Sequence, residues 1–177
     1  MDLAGKRIGN ILIRGTNWVG DAVLTFPALA AVRKAFSSAR ITVLARPWVA
    51  PLYAEHPAVD RTMVLDKGGL HRGVRGLFRL AGQVRREGFD LAVLFQNAFE
   101  AALIAWLARI PLRLGYDTDA RGLLLRPAVG LRPEDKTVHE TEYYLRMLER
   151  AGIEAPRTRP VFRPSAESAG RADQRLR

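Results

Sequence analysis

Residues able to do chemistry concentrate in one stretch, Arg14-Gly15-Thr16-Asn17-Trp18-Val19-Gly20-Asp21, directly after the apolar run Ile11-Leu12-Ile13. Its glycines, Gly15 and Gly20, lack the GxGxxG spacing of a dinucleotide fingerprint, and no lysine follows to complete a P-loop. Asp21 stands where the next helix begins. Two roles fit it: a first-turn carboxylate that complements the helix dipole, or a general base offered to an incoming hydroxyl. A helix amino terminus depresses a carboxyl pKa, whereas partial burial beside Trp18 raises it. Trp18 is either a core residue or an apolar wall suited to a sugar ring. Further polar groups follow later apolar runs: Arg46, Pro47 and Trp48 after residues 41–44, Asp66, Lys67, Gly68 and Gly69 after 62–65, and Gln96 and Asn97 after 91–95.

These runs are short, apolar at successive positions and rich in β-branched residues, the pattern of buried parallel strands. Helical spacing lies between them. Residues 21–36 carry a helix that either bends at Pro27 or restarts with Pro27 in its first turn. Residues 73–87 place Val74, Leu77, Leu80, Ala81 and Val84 on one face. Residues 98–109 are apolar almost all round and predict a deeply buried helix. Residues 113–116 read as a short strand entering a loop. Residues 137–151 read as a final helix, with Thr137 and Glu140 as a capping box and Gly152 as its end. Strand alternating with helix predicts an α/β fold, a Rossmann-like doubly wound parallel sheet. Ligands bind such sheets beyond the strands' carboxyl ends, so the four loops should converge on one crevice.

The 177 residues suffice for one ordinary domain, and 48% hydrophobic content excludes a disordered chain. Without cysteine there is no disulfide framework, thiol nucleophile or sulfur-based zinc site, which fits a reducing compartment. No signal-peptide pattern is visible, and the longest apolar run, residues 101–108, falls far short of the roughly 20 needed to span a membrane. A soluble cytoplasmic domain over residues 1–152 is expected, followed over 153–177 by a proline-rich linker with Pro156, Pro160 and Pro164 and a weakly helical polar end. The net charge of +10 includes a cluster at Lys67, Arg72, Arg75, Arg79, Arg85 and Arg86. That cluster is either a solvated helix face or a surface for nucleic acid, an anionic membrane or an acidic substrate. Phe78 is the one aromatic among these residues, which argues against single-stranded nucleic acid.

The segment Asn17-Trp18-Val19-Gly20-Asp21, with Pro27-Ala28-Leu29 in the helix after it, resembles the start of the ADP-heptose:lipopolysaccharide heptosyltransferases (glycosyltransferase family 9). The tryptophan form of the motif points to the type II members. Ala45-Arg46-Pro47-Trp48, Phe95-Gln96-Asn97-Ala98-Phe99, Ile110-Pro111-Leu112-Arg113-Leu114-Gly115-Tyr116, Arg121-Gly122-Leu123-Leu124, and His139 with Tyr143-Tyr144-Leu145 continue the likeness in order over residues 8–152. Gln96 and Ala98 depart from the family's proline and serine. The resemblance implies the amino-terminal domain of a GT-B glycosyltransferase and inverting transfer of heptose from ADP-L-glycero-β-D-manno-heptose, with no metal and no other cofactor. It assigns Asp21 as the base. It makes Thr16, Asn17, Trp18, Gly20, Lys67, Arg72, Arg75, Asn97, Arg121 and His139 candidate acceptor contacts. Lys67, Arg72, Arg75 and Arg121 would grip Kdo carboxylates and phosphates. Asn97 and His139 each have a local alternative, in their own turn and at a helix start. The implied partners are the lipopolysaccharide inner core, the anionic cytoplasmic face of the inner membrane and a carboxyl-terminal donor-binding domain missing from this chain, but no nucleic acid. The alternatives are a noncatalytic half that only binds lipopolysaccharide core and a different heptosyltransferase. A nucleotide-dependent oxidoreductase is disfavoured because GxGxxG is absent after Ile13.

Overall fold

The computed structural model describes residues 2–3, 5–162 and 168. In chain order the elements are β1 (Asn10–Arg14), α1 (Val19–Leu24), α2 (Phe26–Ala35), β2 (Arg40–Ala45), α3 (Ala50–Ala54), β3 (Arg61–Val64), α4 (Gly73–Arg86), β4 (Leu91–Leu94), α5 (Phe99–Leu107), β5 (Leu112–Asp117), β6 (Ala128–Gly130) and α6 (Glu140–Arg150). Short 3-10 turns cover 122–124 and 133–136. The strands form one sheet in the order β3-β2-β1-β4-β5-β6, every neighbouring pair parallel. This is the doubly wound order, and the expected fold class holds.

Strand alternation divides the core. Ile11, Ile13, Ile41, Val43, Leu91 and Val93 face the layer of α1, α2 and α6, and Leu12, Leu44, Ala92 and Leu94 face α4 and α5. Each fully buried Leu or Ile contributes about 1.5–3 kcal/mol. Pro27 restarts the helix rather than bending it. It has no N–H to donate to Val23, so α1 ends at Leu24, Thr25 bridges, and Pro27 falls in the first turn of α2. Helix α6 ends in a Schellman motif: Gly152 at φ +82° donates to Glu149 O, and Ile153 donates to Leu148 O.

Four sequence readings need correction. β3 is an edge strand with Val64 45% exposed, because a terminal strand has a neighbour on one side only. Thr137 does not cap α6. It closes the preceding 3-10 turn, while His139 is the N-cap and its Nδ1 accepts from Thr141 N–H. Val74 leaves the buried face of α4 and is 71% exposed. Helix α5 is buried on its sheet side only, with Phe99 and Trp106 about half exposed. α3 and β6 have no periodic pattern long enough to be read in advance. Of the proline-rich stretch, residues 153–162 carry no regular structure, and the weak helix expected over 165–177 falls outside the described residues apart from Ser168.

One buried charge cluster fixes α6. The Asp135 side chain is fully buried and takes both Arg150 guanidinium nitrogens at 2.6 and 2.7 Å, the Arg132 N–H at 2.8 Å, and Arg146 at 3.5 Å. Burial works against its ionised form, but the Arg150 and Arg132 hydrogen bonds outweigh it and hold the carboxyl below its ordinary range.

Candidate functional site

β1 and β4 lie side by side, and the sheet order reverses between them. The chain leaves their carboxyl ends in opposite directions, which opens a crevice there. Residues 15–18 form one wall and residues 96–98 the other.

The first wall is built on a buried tyrosine. Tyr53, from α3, is fully buried beneath Gly15, and a Cβ on Gly15 would lie 2.6 Å from its ring. Glycine is therefore required at that point. The Tyr53 hydroxyl accepts from Thr16 N–H at 3.2 Å and meets the Thr16 and Thr25 hydroxyls at 3.3 and 3.2 Å. Burial pushes its phenol up, so it stays neutral. The Thr16 side chain is thus spent inward, which corrects its assignment as an acceptor contact.

Arg14 closes the same wall from below. Its guanidinium is buried and donates to Gly15 O, to Leu44 O at 3.4 Å and to Asn17 Oδ1 at 2.8 Å. Burial pulls its pKa down to about 10, with Arg46 adding to the effect, yet it remains charged at neutral pH. Asn17 also accepts from Trp48 Nε1–H through its carbonyl at 2.9 Å, and the Arg46 guanidinium lies 5.3 Å above the Trp48 ring. Loops from β1 and β2 are thereby joined at Asn17. Trp18 and Trp48 are 72% and 57% exposed. Trp18 is therefore no core residue.

Asp21 lies in the first turn of α1, half-buried. Among the described residues its carboxylate makes no hydrogen bond or ion pair, although its charge adds to the burial that raises the Tyr144 phenol. Gly20 beside it is exposed, and a Cβ there would meet nothing within 4 Å.

The opposite wall is an amide held from both sides. Asn97 Nδ2 donates to the Tyr143 hydroxyl at 2.7 Å, and its Oδ1 accepts from Arg121 at 2.8 Å. Arg121 is fully buried and also donates to Gln96 O at 2.5 Å and Tyr116 O at 2.8 Å. It supports Asn97 and does not reach an external anion, a correction to its predicted role. Burial lowers its pKa, which accords with a cation fully enclosed by carbonyl oxygens. Tyr143 comes from α6 and is half-buried. Burial raises its phenol despite the Asn97 hydrogen bond, so it keeps its proton. Since the hydroxyl oxygen accepts from Asn97, that proton is free to donate elsewhere.

The predicted cations separate. Lys67 pairs with Glu100 at the start of α5. Its charge is neutralised there. Arg72 and Arg75 are exposed at the start of α4, beside the sheet edge rather than the β1–β4 opening. His139 is exposed and caps α6. The crevice thus brings together Asn17, Trp18, Gly20, Asp21, Trp48, Asn97 and Tyr143. Sequence reasoning named Arg14 in the first loop and Tyr143 in a later motif without giving either a role, and it missed Tyr53. A lone arginine ending an apolar strand was the available signal for the first. Gln96 acts here through its carbonyl, so its departure from proline costs that contact nothing, whereas Ala98 leaves the N-cap of α5 without a side-chain oxygen.

The model of glycosyltransferase family 9 (heptosyltransferase) matches residues 77–177. Lipooligosaccharide heptosyltransferase 2 of Haemophilus ducreyi is 33% identical over 120 residues, 65% of this chain and 33% of that protein. Lipopolysaccharide heptosyltransferase 2 of Escherichia coli is 33% identical over 117 residues, 64% of this chain and 33% of that protein. The match spans about a third of these relatives' own length. Among solved structures, a glycosyl transferase family 9 protein from Veillonella parvula superposes with a TM-score of 0.81 at 22% identity, over 94% of this chain and 48% of that one. The E. coli ADP-heptose lps heptosyltransferase II gives 0.77 at 24% identity, over 94% and 50%. The shared feature is the fold, the Rossmann-like parallel domain of GT-B glycosyltransferases.

Proposed function

Given that the chain belongs to glycosyltransferase family 9, the heptosyltransferases, we propose that its described domain is the acceptor-binding half of an inverting heptosyltransferase, of the type II kind, acting on the lipopolysaccharide inner core. The observation that carries this reading is the Asp21 carboxylate, half-buried and without a hydrogen bond or ion pair among the described residues, beside the opening between β1 and β4. Asp135, by contrast, has its carboxylate occupied by Arg150.

In the proposed step, an acceptor sugar lies against Trp18 and Trp48, whose exposed rings suit the apolar face of a pyranose. Asn17, Asn97 and the Tyr143 hydroxyl orient its polar groups. Asp21 takes the proton of the attacking hydroxyl. The oxygen bonds to the anomeric carbon of ADP-L-glycero-β-D-manno-heptose from the face opposite the ADP, and ADP departs with the bonding electron pair. Placement of base, nucleophile and leaving group in line supplies most of the acceleration. The donor is assigned to a second Rossmann-like domain. The rigid supports beneath the loops, Tyr53, Arg14 and Arg121, serve that placement.

The test is Asp21→Asn in a chain that carries both domains. Transfer should fall at least a hundredfold, the range expected for a lost general base, with an unchanged melting temperature. Activity within tenfold of the parent would remove Asp21 as the base. Calorimetry on the present chain should show acceptor binding without donor binding. A chain that binds donor alone would overturn the assignment of this half.

A further inference from the structure

Arg113 belongs to the segment Ile110-Pro111-Leu112-Arg113, which the crevice leaves unused. Its guanidinium donates to the carbonyl oxygens of Leu124, at 2.5 Å, Ile110 and Pro111, and among the described residues no carboxylate neutralises it. Burial and the neighbouring Arg126 charge pull its pKa down, as expected of a cation that lacks an anion. Arg113 lines a groove of about 630 Å³ between α4 and α5. Ala81 and Ile110 are buried within the groove, and Phe78, Trp106, Arg85 and Arg109 stand exposed along it. Among the described residues neither exposed ring meets another aromatic, and neither exposed guanidinium makes an ion pair or hydrogen bond.

The backbone singles out Arg109. Helices α4 and α6 are followed by Gly88 and Gly152 at φ +67° and +82°, the left-handed position that favours glycine. Helix α5 ends in the same motif, with Ile110 N–H on Ala105 O at 3.1 Å, yet its left-handed residue is Arg109 at φ +59°. A side chain is kept there against the backbone's preference, and its charge meets no partner among the described residues.

Two bare aromatics over an apolar floor, flanked by three cations without carboxylates, call for an occupant with an apolar stripe and acidic flanks. We propose that this groove seats an acidic amphipathic helix of a partner protein, its apolar stripe between Phe78 and Trp106 and its carboxylates on Arg85, Arg109 and Arg113. The shape favours that occupant: a helix ridge fills the concavity between two helices, and a flat surface leaves it empty. A second copy of the same face would set arginine against arginine on a chain of net charge +10. Arg85, Trp106 and Arg109 lie at the carboxyl ends of α4 and α5, and Arg113 near the start of β5, so the groove is at the end of the sheet opposite the crevice. A partner seated there leaves the crevice open, and the seat is independent of Asp21 and of any acceptor.

The experiment is fluorescence anisotropy of the whole chain with a labelled synthetic helix, in which a leucine stripe at i, i+3, i+4 and i+7 is flanked by glutamates. The chain should bind it, and replacing either the glutamates or the leucines by glutamine should weaken binding about tenfold. Arg85→Ser with Arg109→Gly should weaken it by up to about 25-fold, at up to about fivefold per exposed charge pair. Trp106→Ser should weaken it about tenfold at constant charge. Arg7→Ser with Arg159→Ser removes equal charge from exposed positions elsewhere and should change it less than about twofold. Arg109→Gly alone should weaken binding while the melting temperature stays equal or rises, because glycine suits the left-handed backbone. A lower melting temperature with binding intact would make Arg109 a structural residue and overturn the assignment. Failure of the parent chain to bind the acidic helix overturns the proposal, whether or not the face then holds anionic vesicles or a second copy. Equal binding of the leucine-free peptide, or equal weakening by the Arg7/Arg159 variant, would describe general attraction to polyanions and also overturn it.

Discussion

Replacing Asp135 by asparagine keeps the shape of a wholly buried side chain and removes its charge. Both Arg150 nitrogens, the Arg132 N–H and Arg146 then lose an ionised acceptor. Removing one member of a fully buried pair costs about 3–5 kcal/mol. Here the arginines keep 21% and 29% side-chain exposure and can recover some hydration, which brings the expected loss to about 2–4 kcal/mol. For a chain of this length that corresponds to a melting temperature lower by roughly 5–12 °C. Urea unfolding followed by dichroism gives the free energy directly. The pH dependence supplies a second check. The folded carboxyl lies below its unfolded value, so its contribution is complete above the unfolded pKa of about 3.9 and disappears as pH falls through the folded value. The parent and the Asp135→Asn variant should therefore differ by a constant amount from pH 5 to 8 and converge below about pH 4. A difference under about 1 kcal/mol at pH 7, or one unchanged at pH 3, would refute the view that this cluster anchors α6. That helix brings Tyr143 to the crevice, so the variant should also loosen the hydrogen bond to Asn97.

Two further substitutions separate support from contact. Gly15→Ala drives a methyl into the Tyr53 ring and should cost about 1–3 kcal/mol of stability, read by urea unfolding; a neutral result would mean that Tyr53 yields freely. Gly20→Ala places its methyl in open space within α1 and should gain up to about 1 kcal/mol, while acceptor affinity measured by calorimetry falls, because the added group occupies the approach to Asp21. Undiminished affinity would move the acceptor away from that turn.

Much of the site was legible because it is local. Asp21, Asn17 and Trp18 sit within five residues, so one strand exit and one helix start place them together whatever the rest of the chain does. Trp18 remained ambiguous in the sequence because a tryptophan fits a core or a crevice wall equally well; its exposure decides it. Arg121 misled because an arginine's charge is visible in sequence and its surroundings are not. Thr16 misled for the same reason, since its hydroxyl partner Tyr53 lies 37 residues away. The cations after β3 were grouped by proximity in the chain, yet Lys67 is neutralised by Glu100 while Arg72 and Arg75 are exposed at the start of α4 and make no ion pair among the described residues.

By itself the sequence determined the alternation of buried strands and helices, an interruption at Pro27, the α6 stop at Gly152 and the place of the first loop. These follow from periodicity and backbone stereochemistry, which act over a few residues. The tertiary structure alone decided which strands lie at the sheet edge, which polar groups are consumed internally, and which apolar residues of α4 and α5 remain in water. Those outcomes depend on neighbours brought from distant parts of the chain: Tyr53 under Gly15, Arg121 behind Asn97, and Trp106 beside Phe78. Hydrogen-bond satisfaction and burial are properties of such assembled surroundings, and no local pattern encodes them.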